Sequence, residues 1–343
     1  MELRTLGTTG VKVSKLCFGA MMLGVWGNRD HDDGVRIIHA ALDAGINFID
    51  TADVYSAGES EEIVGKALAG SRRDGVVLAT KVHGTMGKDP NMFGNSRRWI
   101  IREVENSLRR LQTDRIDLYQ IHRPETDTDI DETLGALTDL VRAGKVRYLG
   151  SSTFPPEQIV EAQWTAERRG RERFVCEQPP FSIFVRRIEG DLLPTCQRYG
   201  MGVIAWSPLN GGWLTGKYRK DVEPPPDSRG ARMGNASRFF ADTPENRRKY
   251  AVLEELDKVA ADAGCSLTHL AQAFVLQHPA VTSAIIGPRT MDQLTDLVNG
   301  ADVTLDGAIL DRIDELVPPG TDINPADHGW DHPAVQQPSL RRR

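Results

Sequence analysis

The feature that most constrains this chain is a repeat: eight short apolar runs, at 15–20, 47–52, 76–81, 116–122, 146–152, 174–178, 202–207 and 282–287, alternate with longer amphipathic stretches. Runs of this length bounded by turn residues read as buried strands, and the stretches between them carry a helical period. Val35, Ile38, Ala41 and Leu42 fall on one helix face, with Asp32 or Asp33 as acidic N-cap and Gly45 as stop. Ser96 opens a second helix through Ile100, Val104, Leu108 and Leu111, and a third reads Leu134, Leu137 and Val141 before Gly144. Continuous apolar strands with helices between them form a parallel sheet, and eight β-α units are the number that closes it. The expected fold is therefore α/β, a (β/α)8 barrel. An open doubly wound sheet is the structural alternative, but the G-x-G-x-x-G turn it would need after its first strand is absent from Phe18-Gly19-Ala20-Met21-Met22-Leu23-Gly24.

Around the repeat, residues 2–14 read as two short strands about Gly7 to Gly10 that could plug one barrel end. Residues 210–246, rich in Gly, Pro and Arg, form a long loop between the seventh and eighth strands. One barrel domain over residues 1–317 is expected, with an irregular tail over 318–343. With 40% apolar and 26% charged residues the chain can bury a core of that size. A net charge of −6 with dispersed basic residues argues against a nucleic-acid partner, and Arg341 to Arg343 read as a frayed end. No secretory leader opens the sequence and no apolar run reaches the roughly 18 residues of a membrane span, so a cytoplasmic protein without a membrane partner is expected. Homo-oligomerisation is left open. Cys17, Cys176, Cys196 and Cys265 are scattered without C-x-x-C spacing and read as reduced, buried thiols.

Three successive strands end in residues that are costly to bury: Asp50, Lys81 and His122. In a parallel barrel the C-terminal strand ends form the rim where reacting groups converge, and Tyr55 lies on the same βα loop as Asp50. A strand-end histidine or a Lys-Asp pair alone would read as structural; three on consecutive strands read as a site. Reduction of a carbonyl leaves alkoxide character on oxygen, which needs a proton. A phenol, with a reference pKa of about 10, becomes a usable acid when a cation stabilises its phenolate. Lys81 could supply that cation, Asp50 could hold Lys81, and His122 could orient the carbonyl oxygen.

These residues sit in a segment, Asp43-Ala44-Gly45-Ile46-Asn47-Phe48-Ile49-Asp50-Thr51-Ala52 followed by Tyr55 and Glu59-Ser60-Glu61, that resembles the first signature of the aldo-keto reductases. The chain is similar to the branch that includes the potassium-channel beta subunits. The resemblance, which runs from Leu6 to about Asn299, implies NADPH-dependent reduction of a small aldehyde or ketone to an alcohol, with Asp50, Tyr55, Lys81 and His122 as catalytic tetrad and Tyr55 as general acid. Ser56 stands where many members carry glycine. The resemblance also implies cofactor contacts: Gly19 and Ala20 at the first strand end, Asp50, Ser152, Thr153 (where many members have Asn) and Gln178 about the nicotinamide, and Trp206 stacked on its ring. Ser207, Leu209, Gly212 and Lys217 would cover the pyrophosphate, with Ser228 and Arg229 as a further phosphate pair. Gly287, Arg289, Gln293 and Asp296 would hold the adenosine end, Arg289 on the 2'-phosphate, while Leu297 departs from a frequent asparagine.

The expected substrate pocket comprises Met22, Trp26, Tyr55, Phe93 and His122, with Met86, Phe154 and Phe181 near the rim. Gly211 to Lys217 spell G-x-x-x-x-G-K, but Tyr218 replaces the hydroxyl residue of a P-loop. His328, Asp331 and His332 have ligand chemistry, yet Gly329 and Pro333 oppose a helix that would align them, and no metal is expected. Two further readings compete. The channel beta subunits, which carry asparagine for the strand-four histidine, suggest an NADPH-binding regulatory or redox-sensing partner with weak reductase activity. A barrel lyase using Lys81 as Schiff-base nucleophile would need Lys81 free of a carboxylate, which Asp50 opposes.

Overall fold

Ten strands and the helices between them are laid out in a computed structural model that describes residues 1–232 and 239–342; positions 233–238 of the long loop and Arg343 of the terminal arginine cluster lie outside the described residues. β1 (Leu3–Thr5) and β2 (Lys12–Ser14) pair antiparallel. The barrel comprises β3 (Leu16–Gly19), β4 (Phe48–Asp50), β5 (Val77–Val82), β6 (Ile116–Ile121), β7 (Val146–Ser152), β8 (Phe174–Gln178), β9 (Gly202–Ala205) and β10 (Val281–Ile286). All eight pair in parallel and close, β10 lying between β9 and β3. This is the (β/α)8 barrel, and each strand falls on one of the eight apolar runs.

The helices begin and end for local reasons. Asp30, not Asp32 or Asp33, caps His31–Asp43 by accepting from Asp33 N at 3.0 Å; the two expected caps sit in the first turn, where their charges still favour the helix dipole. Ser96 caps Arg97–Arg110 as expected, accepting from Trp99 N. The long loop is shorter than its composition implied, because Thr243 caps a helix over Pro244–Asp262 and a second helix, Leu267–Gln277, follows before β10. Among the described residues no single helix is long and apolar enough to cross a membrane.

Two apolar layers hold the barrel. The larger lies between strands and helices; the smaller fills the interior with Cys17, Phe48, Ala79, Leu118, Cys176 and Ile204, all fully buried. Leu6 and Val13 of the hairpin join this inner cluster and stopper the N-terminal end. The hairpin turn fits tightly: Gly7 has φ +53°, and a Cβ there would stand 2.6 Å from the Gly200 carbonyl oxygen. Side chains alternate along a strand, so the residue two places after each inner apolar one points inward one layer higher. Those positions are Gly19, Asp50, Lys81, Gln120, Gln178 and Trp206. The polar rim is thus the next storey of the apolar core.

Candidate functional site

Lys81 is fully buried and spends all three of its donors inside that storey: on Asp50 Oδ1 at 2.5 Å, the Thr51 carbonyl at 2.8 Å and the Tyr55 hydroxyl at 3.2 Å. Burial works against its charge, but Asp50 and Tyr55 outweigh burial and its pKa lies above the usual lysine value. The second Asp50 oxygen accepts from Gln120 Nε2 at 3.0 Å and Gln178 Nε2 at 2.9 Å. The His122 ring meets the Tyr55 ring edge-on at 5.6 Å. Burial, with the charges of Lys81 and Arg123, pushes its imidazole well below the ordinary histidine range, so it is neutral at pH 7. The arrangement is a phenol against a fixed cation, beside a neutral imidazole. It can release a proton and stabilise the phenolate left behind.

The loop carrying Tyr55 is strained in a way that explains the family's preference for glycine after it. Ser56 and Ala57 have φ of +51° and +58°, a region open to L-residues only at a cost. Ser56 offsets that cost with its hydroxyl, which donates to the Leu23 carbonyl and accepts from Trp26 N, each at 3.2 Å. It thereby ties the β3 loop over the tyrosine, with Trp26 and Tyr55 ring centres 5.9 Å apart. Thr153 likewise has φ +60°, which suits the asparagine that many members carry there.

A cleft of about 740 Å³ runs from this group across the C-terminal rim. It is lined by Gly19, Asp50, Tyr55, His122, Ser152, Gln178 and Trp206 at one end and by Gly287, Arg289, Gln293 and Asp296 at the other. Ser207, Leu209, Gly212, Lys217 and Arg229 lie along it, as do Met22, Trp26 and Phe181. Ala20, Thr153 and Ser228 are buried behind the lining. Phe93 is half-exposed and packs on His83 at 4.6 Å, away from the cleft, and Met86 and Phe154 do not line it either. The G-x-x-x-x-G-K stretch is a wall of the same cleft, with Tyr218 in the core. His328 pairs with Asp331 at 2.8 Å and His332 accepts from Ala334 N at 3.1 Å.

Cofactor chemistry has a fitting donor set here. The Trp206 indole N–H is buried without a partner among the described residues. Gln178 commits its amide N–H groups inward to Asp50 and Gln120, at 2.9 and 3.1 Å, leaving its carbonyl oxygen as the acceptor. At the far end Lys217, Arg229, Arg232 and Arg289 outnumber Asp227 and Asp296 on the lining, as an anionic ligand requires.

Sequence reasoning missed several groups. Gln120 braces Asp50 and bonds Gln178, and its two-residue offset from Leu118 was the available signal. Arg123 lines the cleft beside His122. Asp227 occupies the Arg289 guanidinium at 2.5 Å. The tail also enters the site: Asp322 accepts from Arg186 N and Arg187 N, Asp327 accepts from Lys249 Nζ at 2.5 Å, and Gly329 abuts Trp206.

The aldo/keto reductase family model matches residues 15–318. The chain is 40% identical over 341 residues to the uncharacterized oxidoreductase YrpG of Bacillus subtilis (strain 168), covering 96% of this chain and 100% of that protein. It is 36% identical over 326 residues to a probable voltage-gated potassium channel subunit beta of Oryza sativa subsp. japonica, covering 92% and 97%. It is also 36% identical over 302 residues to the aldo-keto reductase YhdN of Bacillus subtilis (strain 168), covering 87% and 88%. The matched span takes in the whole closed barrel and the strand ends that carry the Lys81 network; this chain belongs to the aldo/keto reductase family of oxidoreductases.

Proposed function

We propose that the protein reduces an aldehyde or ketone to an alcohol with NADPH, Tyr55 acting as general acid. The observation that carries this reading is Lys81, fully buried and hydrogen-bonded at once to Asp50 and to the Tyr55 hydroxyl. When bound, a nicotinamide cofactor supplies the hydride that the carbonyl carbon takes up. The protein's own residues manage the oxygen. His122, neutral, donates a hydrogen bond that orients it; Tyr55 gives it a proton; and the Lys81 ammonium stabilises the tyrosinate until solvent returns the proton. Asp50, Gln120 and Gln178 fix Lys81 so that little reorganisation is needed at that moment.

Ser152 and the Gln178 carbonyl oxygen would hold the cofactor's carboxamide and Trp206 would stack on its ring. Lys217 and Arg229 would meet the pyrophosphate. Arg289 stands just before the Thr290-capped helix Met291–Asn299, where backbone N–H groups favour an anion, and would select the 2'-phosphate. The name of the rice relative raises a second reading, a cofactor-binding subunit that regulates a partner. The complete proton-donating group about Tyr55 favours the enzyme. Tyr55→Phe tests it: cofactor dissociation constants should stay within about twofold while kcat falls by about 10²–10⁴, the worth of general acid catalysis. An unchanged kcat would remove Tyr55 from the mechanism, and a wild-type protein that binds NADPH yet turns over no carbonyl compound would favour the regulatory reading.

A further inference from the structure

The substrate end of the cleft holds one charge that the proton-donating group does not use. Arg123 follows His122 at the mouth of β6 and lines the cleft, its guanidinium 5.8 Å from the centre of the Trp206 ring. Its hydrogen bond, from Nη1 to the His122 carbonyl at 2.6 Å, ties one arm of the fork to its own backbone and leaves the Nη2 and Nε edge to face a ligand. Among the described residues no carboxylate lies within ion-pair distance of it, whereas Lys81 is answered by Asp50 and Lys249 by Asp327.

The groups that face Arg123 do not neutralise it. His83 and His122 are held neutral, mainly by burial. Glu177 is fully buried on β8 and already committed to the Ser151 hydroxyl and to Phe154 N. Burial draws the Arg123 pKa below the ordinary arginine value, against the influence of Tyr55 and Glu177, yet a guanidinium does not lose its proton in a protein. A positive charge kept largely out of water without a carboxylate is unfavourable unless something arrives to meet it. Its planar fork suits a carboxylate or a phosphate.

We infer that the substrate is a carbonyl compound bearing an oxyanion, a carboxylate or a phosphate, received by Arg123 while its carbonyl oxygen lies at Tyr55 and His122. The inference rests on the reductase reading above. His122 and Arg123 are consecutive, so carbonyl and oxyanion belong to one small molecule. The Trp26 ring, 5.9 Å from that of Tyr55, gives its middle a flat apolar wall.

Matched pairs test the charge alone: 4-carboxybenzaldehyde against its methyl ester, 4-oxobutanoate against butanal, and glyceraldehyde 3-phosphate against glyceraldehyde. Wild type should favour at least one anionic member in kcat/KM by about ten- to a hundredfold, the worth of a charge-assisted contact. The first two pairs select carboxylate and the third phosphate. Arg123→Gln should bring that ratio to within about threefold of unity. No preference in any pair, or a preference that Arg123→Gln leaves standing, overturns the inference while leaving the reductase reading intact. If no carbonyl compound is turned over, direct binding decides: terephthalate and inorganic phosphate, titrated by calorimetry into the NADP⁺ complex of both forms, should show an Arg123-dependent site for one of them. Equal binding to both forms, or none to either, overturns it.

Discussion

On the proposed reading Arg289 would meet a 2'-phosphate only by leaving a carboxylate, and that exchange would set the size of cofactor selectivity. Its guanidinium donates to Asp227 Oδ2 at 2.5 Å, and Asp227 is two-thirds exposed. An exposed pair of this kind contributes about 0.2–1 kcal/mol. A charge-assisted contact with a 2'-phosphate contributes about 1.5–3 kcal/mol, so exchanging one for the other leaves about 0.5–2.8 kcal/mol, or roughly two- to a hundredfold, in favour of NADPH over NADH. Arg289→Ala should remove that factor from the NADPH dissociation constant and leave NADH nearly unchanged. Asp227→Asn should act in the opposite direction, because it replaces the competing carboxylate by a neutral, weaker acceptor and removes a like charge near the phosphate. NADPH should tighten by up to about fivefold at low ionic strength, and the gain should shrink as salt shortens the screening length to about 10 Å at 0.1 M. Titration of tryptophan fluorescence with each cofactor, for wild type and both variants, measures all six constants. Equal loss of both cofactors in Arg289→Ala, or weaker NADPH binding in Asp227→Asn, would refute the exchange argument; a wild-type preference for NADH would overturn the NADPH assignment.

Lys81→Met should abolish turnover and also destabilise the fold by about 3–5 kcal/mol, because it leaves Asp50 buried without its cation. Adding Asp50→Asn should restore much of the melting temperature but none of the activity; a double variant no more stable than the single one would contradict this. Glu177 is fully buried, and burial, against its hydrogen bonds, raises its carboxyl from 4.5 to about 7. Its contribution to stability is therefore complete below pH 4.5 and is lost as pH rises through about 7, by as much as about 3 kcal/mol. Glu177→Gln should flatten that slope in chemical denaturation at pH 5 and pH 8, and an unaltered slope would show that the group is not its source. Gly329 has φ +89°, and a Cβ there would stand 2.8 Å from Trp206 Cζ2. Gly329→Ala should loosen the tail, raising KM several-fold and speeding limited proteolysis after residue 318; unchanged proteolysis would mean the tail docks without that contact.

The fold was legible because its signal is redundant. Eight apolar runs, each flanked by a helical period, leave few ways to cover a parallel sheet, and every run became a barrel strand. What was read less well depended on single local choices. The cap of the first helix fell two or three residues early, on Asp30, because three acids within four residues compete and backbone geometry selects among them. The helix from Pro244 was hidden by the Gly, Pro and Arg content of the loop before it. The tail, irregular by composition, is tied down through backbone bonds such as Ile323 N to the Phe184 carbonyl at 3.0 Å, which leave no mark in side-chain chemistry.

The candidate site divides along the same line. Asp50, Lys81 and His122 stood out because each is an expensive residue at the end of an apolar run, and their convergence follows from the barrel alone. Gln120 did not stand out, although it obeys the same rule: it lies two places beyond Leu118 in the strand that ends before His122. Its cost of burial is smaller, so the sequence marks it only once the inner apolar layer is known. The period of two then picks out every inward-facing rim position without reference to chemistry, including Gly19, where a Cβ would stand 2.5 Å from Ile285 Cγ2. Contacts made across loops obey no such period. Asp227 reaches Arg289 over 62 residues and Lys249 reaches Asp327 over 78, and neither pair lies on a repeat that could announce it. The barrel repeat brings Asp50, Lys81 and His122 together at the rim, whereas the Asp227–Arg289 and Lys249–Asp327 pairs depend on loop paths that no strand or helix period encodes.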